Sequence, residues 1–199
     1  MARVVKKVKK ENDGSNGKLN IILGSIAGVL AIGCLIAFLV IYISDNMVTR
    51  LYSNSRDMDY TTLVELDSDS SVREKYERTI YVFVFHSLHE EEEYSGYSIN
   101  DNQNSKVRSA ITLDLKLNEY YSNQSIEQQK RTSFYALDLY DSANEGLLDD
   151  SKFGYSSESA YVLTITNSSS GLSVSKKAIS TSYLTEINAK LTTEVDKYK

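Results

Sequence analysis

Two histidines lie three residues apart near the middle of the chain, and a run of glutamates follows them. His86 and His89 are the only histidines among the 199 residues, and Glu90 to Glu93 come next. Imidazole nitrogens and carboxylate oxygens are ligands for zinc and for harder metal ions. A metal-binding or hydrolytic centre at His86 and His89 is therefore one interpretation. The spacing matches no known motif, so we favour an exposed acidic loop.

The chain lacks the residues that other kinds of catalysis need. Cys34 is the only cysteine, and it lies in a long apolar segment, so the rest of the chain has no thiol nucleophile and no disulfide. With two histidines so close together, no set of nucleophile, base and orienting group is recognisable. The carboxylate pair Asp149-Asp150 is expected at a water-facing helix end. We therefore predict no catalytic residue, no bound metal and no cofactor.

The apolar segment itself predicts a membrane anchor. Residues 21–43 carry no charged side chain. As a helix they reach about 35 Å, which is enough to cross a hydrocarbon core of about 30 Å. We expect a single transmembrane helix over residues 19–44, with the lipid bilayer as its partner.

The charges on either side of this segment predict its orientation. Residues 1–18 form a basic tail, while the whole chain has a formal net charge of -5, so the part after the span is strongly acidic. Basic residues next to a span stay on the cytoplasmic side. The N-terminus is therefore expected in the cytoplasm, and the C-terminal part outside the cell membrane. The acidic balance disfavours nucleic-acid binding, which depends on lysine and arginine.

Three other interpretations of the apolar segment remain open. A cleaved secretory signal has a shorter apolar region that ends in small residues. Residues 31–34 faintly resemble a lipoprotein cleavage box, but an apolar stretch follows them. Gly24 and Gly28 form a GxxxG pair, and Gly33 and Ala37 form a second pair of small residues. Such pairs let two membrane helices pack closely, so a homodimer through this helix is possible.

After the span, residues 45–59 are expected to form a stalk and residues 60–199 a folded domain. Tyr60 to Leu66 is rich in β-branched residues and predicts a strand. Asp67 to Ser70 can cap a helix that continues to Arg78. Thr79 to Phe85 is an unbroken β-branched and aromatic run, typical of a strand buried on both faces.

The second half of the domain alternates between helix and strand patterns. Ser87 to Ser105 is polar and predicts a loop, or an exposed helix start followed by a loop. Lys106 to Tyr121 fits both a strand alternation and a helical face, and we favour the helix because the segment is long. Later elements are a strand at Thr132–Tyr140, a helix at Ala143–Asp150, a hairpin of Tyr161–Thr166 with Leu172–Ala178, and an amphipathic helix at Ser182–Tyr198. This order predicts an α/β domain with a mixed sheet.

The order and spacing of these elements resemble the thioredoxin-like family from Tyr60 to Lys199. Three stretches carry the resemblance: the buried strand in TIYVFVFHS, the acidic strand end in SFYALDLYD, and the turn Lys152-Phe153-Gly154-Tyr155 before the hairpin. The resemblance implies a fold in which a single transmembrane helix precedes a thioredoxin-like mixed-sheet domain.

The chain departs from the family at both of its redox positions. Catalytic members carry two cysteines, separated by two residues, just after the central strand, where this chain has Ser87 to Glu92. They place a cis-proline before the hairpin, where this chain has Ser159-Ala160-Tyr161. Disulfide exchange needs a thiolate nucleophile. The resemblance therefore implies a degenerate member that keeps the scaffold without the redox activity.

In this family the loop after the central strand and the turn before the hairpin adjoin where substrates dock. Here they correspond to Ser87–Tyr94 and Ser156–Ala160. The residues expected to contact a partner are Ser87, Leu88, His89, Glu90, Glu91, Glu92, Ser159 and Ala160. The resulting hypothesis is a membrane-anchored, non-catalytic domain that binds another membrane or extracytoplasmic protein, or that serves as a subunit of a membrane complex.

Overall fold

The structure is a computed structural model that describes Ile26, residues 28–39, Tyr52, residues 54–87 and residues 92–199. The chain divides into two compact units, residues 1–47 and 48–199. In the first unit the described residues are helical. Across the described parts of the chain, no helix is both long enough and apolar enough to span a membrane. The basic tail, Gly24 and the two ends of the predicted span lie outside the described residues.

The second unit contains a mixed five-stranded sheet. Its strands are β1 (Arg56–Asp57), β2 (Thr79–Phe85), β3 (Thr132–Asp138), β4 (Tyr161–Ser168) and β5 (Gly171–Ala178). The spatial order is β1-β3-β2-β4-β5. Strands β1 and β2 run parallel to β3, whereas β4 is antiparallel to β2 and β5 is antiparallel to β4. The unit is therefore a mixed α/β domain, as the sequence predicts.

Helices connect these strands. They are α1 (Tyr60–Ser68), α2 (Ser70–Arg73), α3 (Asp101–Asn123) and α4 (Thr181–Asp196), with 3₁₀ helices at Glu92–Tyr97, Gln128–Lys130 and Ser142–Leu147. The helix favoured for Lys106 to Tyr121 is confirmed within α3. A capping box begins it, because the side chains of Asn100 and Gln103 each accept a hydrogen bond from the other residue's backbone N–H.

The sheet separates two apolar clusters. Alternate residues of β2, β3 and β4 point to opposite faces. On one face Phe83, Phe134 and Val162 pack with residues of α3 and α4. On the other face Ile80, Val82 and Leu163 pack with Leu63 and Leu66 of α1. Six of the seven residues of β2 are buried, which confirms the prediction for Thr79 to Phe85.

The strand predicted at Tyr60 to Leu66 is wrong, because these residues form helix α1. The Asp59 carboxylate caps the helix by accepting a hydrogen bond from the Thr62 backbone N–H at 2.7 Å. Leu63 and Leu66, three residues apart, are completely buried. The β-branched Val64 is left exposed instead. Burial of one helical face therefore outweighs the strand propensity of the individual residues.

The first strand lies in the segment that was predicted to be a stalk. Arg56 and Asp57 pair with Tyr135 and Ala136 of β3. Tyr52 is only 7% exposed and packs in the core. The folded part thus begins before the predicted boundary at Tyr60.

Two predicted helices are shorter than expected. The Asp69 carboxylate caps α2, as the Asp/Ser cluster predicts, but this helix ends at Arg73 instead of Arg78. The helix predicted at Ala143–Asp150 is the 3₁₀ helix Ser142–Leu147.

A buried ionic network holds the short first strand in place. The Arg56 guanidinium donates to both carboxylate oxygens of Asp114 at 2.9 and 2.7 Å, and to Glu77 Oε1 at 2.8 Å. It also donates to the Tyr135 hydroxyl oxygen at 3.0 Å, and that hydroxyl donates to Glu77. Asp114 accepts a further bond from the Phe134 backbone N–H at 2.8 Å. One arginine therefore connects β1, β3, α3 and the segment before β2.

Burial makes this network sensitive to the loss of any member. The side chains of Glu77 and Asp114 are each 2% exposed. Burial raises the pKa of Asp114, and the hydrogen bonds and charge of Arg56 oppose that rise. Burial also lowers the pKa of Arg56, but the hydrogen bonds to Asp114 together with the charges of Asp114, Tyr135 and Glu77 raise it by more. Each charge is tolerated in the interior because its partner is present.

Replacing Arg56 by alanine is expected to lower the free energy of unfolding by about 3–5 kcal/mol, because two buried carboxylates lose their cation. Urea denaturation of the full chain in detergent measures this change. Lys130→Ala is the control, since Lys130 pairs with Glu127 on the surface and both side chains are more than half exposed. That variant is expected to lose less than about 1 kcal/mol. Equal losses in the two variants would contradict the role given to Arg56.

Candidate functional site

The three parallel strands all end at the same edge of the sheet. Their last residues are Asp57 in β1, Phe85 in β2 and Asp138 in β3. Strand β4 runs the other way and begins at this edge, where Tyr161 lies opposite Val84. Open α/β sheets bind ligands outside the carboxyl ends of their parallel strands. This edge is therefore where a binding site is expected.

A cleft of about 710 Å³ opens at this edge. Its lining includes the four carboxylates Asp57, Asp59, Asp138 and Asp141, and none of the described residues that line it is a lysine or an arginine. Cationic and hydrogen-bond-donating groups are therefore the chemistry that suits this cleft.

Three of the four carboxylates hold the turns that follow the strands. Asp138 accepts hydrogen bonds from the backbone N–H groups of Ser87 at 3.0 Å and Tyr140 at 3.1 Å. Asp141 accepts one from the Ala143 N–H at 3.0 Å. Asp59, as described above, caps α1. These carboxylates thus shape the cleft, and their negative charge stays at its surface.

Asn144 forms hydrogen bonds with both sides of the cleft. Its side-chain oxygen accepts a hydrogen bond from the Tyr60 N–H at 2.7 Å. Its amide nitrogen donates to the Asp138 carbonyl oxygen at 2.8 Å. Because Asn144 is only 3% exposed, these two bonds fix the start of α1 against the end of β3.

Asp57 differs from the other three carboxylates because, among the described residues, no backbone N–H bonds to its side chain. Within these residues its side chain accepts a hydrogen bond from the Ser55 hydroxyl, at 3.5 Å. Partial burial raises the pKa of Asp57, the Ser55 hydroxyl opposes the rise, and the charges of Asp138 and Asp141 add to it. Asp57 is therefore the carboxylate that a bound cation would stabilise most directly.

Aromatic rings form another part of the cleft wall. The Tyr52 ring meets the Phe85 ring edge-on, with ring centres 5.0 Å apart. Tyr140 is 45% exposed, and the centre of its ring lies 6.0 Å from that of the His86 ring. His86 is itself only 5% exposed. It therefore packs beneath the surface of this edge.

The alternative metal centre at His86 and His89 is only half described. His89 lies outside the described residues. Within the described ranges, no three side chains of His, Cys, Asp or Glu are placed to hold a metal ion. Asp149 and Asp150 were expected together at a water-facing helix end, but their surroundings differ. Asp149 is exposed, whereas Asp150 accepts a hydrogen bond from the Tyr60 hydroxyl at 2.9 Å.

The predicted partner-binding residues are only partly described. Ser87 has a buried hydroxyl with no hydrogen-bond partner among the described residues. Leu88, His89, Glu90 and Glu91 lie outside the described residues. Glu92 begins the 3₁₀ helix Glu92–Tyr97.

The loop after β2 and the turn before β4 touch each other through their backbones. The Ala160 N–H donates to the Gly96 carbonyl oxygen at 3.3 Å. A Cβ atom at Gly96 would overlap the Glu158 carbonyl oxygen, so only glycine allows this close approach. Ser159 is half-buried and the Ala160 side chain is 2% exposed. Ala160 therefore contributes its backbone to this contact.

Sequence reasoning missed the residues that line the cleft, because Tyr52 and Asp57 were placed in a stalk. The acidic end of SFYALDLYD, which contains Asp138 and Asp141, was a usable signal. Asp138 and Asp141 become part of a cleft because β1, which carries Asp57, pairs beside β3.

The raised pKa of Asp57 predicts a pH-dependent effect of Asp57→Asn. Because the folded state binds the proton more tightly than the unfolded state, the ionised carboxylate destabilises the fold once pH rises above its folded pKa. At pH 7 the variant is expected to unfold about 1–3 °C higher than the natural chain. The difference should shrink as pH falls from 7 towards 4, because protonation removes the charge of the natural carboxyl. Thermal unfolding followed by circular dichroism measures it.

The control for this prediction is Glu186→Gln, which neutralises an exposed carboxylate on α4. Its midpoint is expected to stay within about 1 °C of the natural chain at both pH values. A gain at Asp57→Asn that persists undiminished at pH 4 would contradict the charge repulsion described above.

Comparison with known protein families, with curated proteins and with solved structures finds no match to this chain.

Proposed function

We propose that this chain is a single-pass membrane protein whose C-terminal unit is a non-catalytic, thioredoxin-like domain that binds another protein outside the cytoplasm. The observation that carries the proposal is the backbone contact between Gly96, in the 3₁₀ helix after β2, and Ala160 before β4, at the end of the sheet where the acidic cleft opens. In the family that the sequence resembles, these two elements form the place where a polypeptide docks.

The order of elements supports the thioredoxin-like assignment. A short strand and a helix precede a buried strand, and an exposed segment leads into the long helix α3. A strand with acidic residues at its end follows, then a short helix, a hairpin and a terminal helix. The family's order is the same, and here it starts at Arg56 instead of Tyr60.

The residues at the family's redox positions support a function without thiol chemistry. The segment that starts at Ser87 contains no cysteine, and neither does any other part of residues 35–199. Ala160 occupies the turn where catalytic members have proline. Protein docking needs only the shape of the surface at this end of the sheet, whereas disulfide exchange needs a thiolate. A binding function therefore survives the loss of both cysteines.

The surface chemistry of the edge supports a protein partner. Four carboxylates line the cleft, and Tyr140, which is nearly half exposed, lies beside them. Aromatic side chains are enriched in protein interfaces, and opposite charges select the partner and speed its association. We therefore propose a partner segment that carries lysine or arginine.

The anchor is proposed from the uncharged segment at residues 21–43 and the basic tail before it. A C-terminal alkaline phosphatase fusion is expected to be active, because this enzyme folds only outside the cytoplasm. The same fusion to a variant that lacks residues 19–44 should lose at least about nine-tenths of that activity. Equal activity of the two fusions would contradict the membrane topology.

The binding surface is tested with the double variant Glu91→Ala/Glu92→Ala. In cells that make the full chain, chemical crosslinking is expected to recover about three- to tenfold less of the partner, because two negative charges of the proposed binding loop are removed. The matched control is Glu119→Ala/Glu186→Ala, which removes two exposed carboxylates from α3 and α4. Unchanged recovery with the first variant, or an equal loss with both, would count against this surface.

A further inference from the structure

The two outermost strands of the sheet differ greatly in length. Strand order places β1 at one edge and β5 at the other. Strand β1 has two residues, whereas β5 has eight and pairs with β4 from Gly171 to Ala178. A long edge strand presents a row of unpaired backbone groups that can accept another strand. The outer side of β5 is therefore a potential docking site.

The register shows which backbone groups face outward. The Ile179 N–H donates to the Ala160 carbonyl oxygen at 3.1 Å, so odd-numbered residues of β5 bond to β4. Leu172, Val174 and Lys176 therefore point their N–H and C=O groups away from the sheet. In the described part of the chain, no backbone group bonds to these outward groups.

Among the described residues, the features that usually protect an edge strand do not cover β5. The Lys176 ammonium is held by the carbonyl oxygens of Ser151 at 2.9 Å and Gly154 at 2.7 Å. The Lys177 ammonium lies over the Tyr183 ring, 4.1 Å from its centre. Both ammonium groups thus contact other parts of the same domain and do not shield the outer side of β5. The pairing with β4 is continuous, without a bulge, and the chain contains no proline.

The side chains of β5 are complementary to a second β5. Leu172 and Val174 are half-buried and pack towards the apolar cluster beside α1, whereas Ser173 and Ser175 are exposed on the other face. A two-fold axis perpendicular to the sheet brings the same face of each copy together. With the axis at Val174, the two valines meet and Ser173 faces Ser175 of the second copy.

The same register also keeps like charges apart. Lys176 faces Leu172 of the second copy, and Lys177 faces Gly171, so no two lysines lie directly opposite each other. An unrelated acidic peptide would find only lysines that already have partners within the domain. The observations therefore favour a second copy of this chain as the occupant.

We propose that two copies of this chain pair through antiparallel β5 strands centred on Val174, which joins the two sheets into one continuous sheet. The outward N–H and C=O groups of Leu172, Val174 and Lys176 supply the hydrogen bonds. The docking edge at the end of β2 stays free in each copy, because it does not involve β5.

Disulfide crosslinking tests the register directly. In a Cys34→Ser background, Val174→Cys places two cysteines opposite each other, about 5.5 Å apart between Cα atoms, which suits a disulfide. Ser169→Cys is the control, because Ser169 lies in the turn before β5 and its two copies are on the order of 30 Å apart. Oxidation of the full chain in membranes should give at least about tenfold more dimer with Val174→Cys than with the control. Equal yields would overturn the proposal.

A second variant tests the hydrogen bonds. Val174→Pro removes one outward N–H and leaves the bonds to β4 intact, because proline is tolerated where an edge N–H faces outward. Its dimer dissociation constant is expected to rise at least about tenfold relative to Val174→Ala, which keeps the N–H. Sedimentation velocity of the full chain in detergent measures it, with circular dichroism as the check of folding. A natural chain that stays monomeric, or two variants that dimerise equally, would overturn the proposal.

Discussion

Arg56 places one positive charge between two buried carboxylates, and the arrangement of the first strand depends on that contact. Strand β1 is two residues long, which is too short to be held by ladder hydrogen bonds alone. The bidentate bond to Asp114 attaches it to α3, and the bond to Glu77 attaches it to the segment before β2. Removing the arginine would leave both carboxylates without a cation in the interior, which explains the strong expected effect of that change.

The cleft depends on the same two residues of β1. Arg56 and Asp57 are consecutive, so their side chains leave the strand in opposite directions. One direction leads to the ionic network and the other to the cleft, where Asp57 meets the charges of Asp138 and Asp141. The ionic network of Arg56 inside the domain thus fixes the position of Asp57 at the surface. The acidic character of the edge follows from the placement of β1 beside β3.

The two proposed interfaces use different parts of one sheet. Protein docking is proposed at the end where β1, β2 and β3 finish, and self-association along the outer side of β5. The first relies on charge and on the exposed Tyr140, the second on backbone hydrogen bonds. Because neither needs a thiol, both agree with a domain whose sequence has no cysteine after Cys34.

The sequence alone determined the elements whose signal is local. The unbroken apolar run of Thr79 to Phe85 predicts a central buried strand because both of its faces must avoid water. The long periodic segment around Leu117 and the 3-4-4 spacing from Leu184 to Val195 predict helices for the same reason, since one face of each packs on the sheet. The uncharged segment at residues 21–43 is likewise a property of composition alone.

Tertiary structure decided the elements whose local signal was weak or misleading. Tyr60 to Leu66 has the residues of a strand, yet it is a helix because Leu63 and Leu66 are buried together and Asp59 caps its start. Arg56 and Asp57 have no strand pattern, and they pair with β3 because Asp114 and Glu77, distant in the sequence, supply buried partners. The cleft carboxylates are brought together in the same way. Such contacts join residues far apart in the chain, and a local pattern contains no information about them.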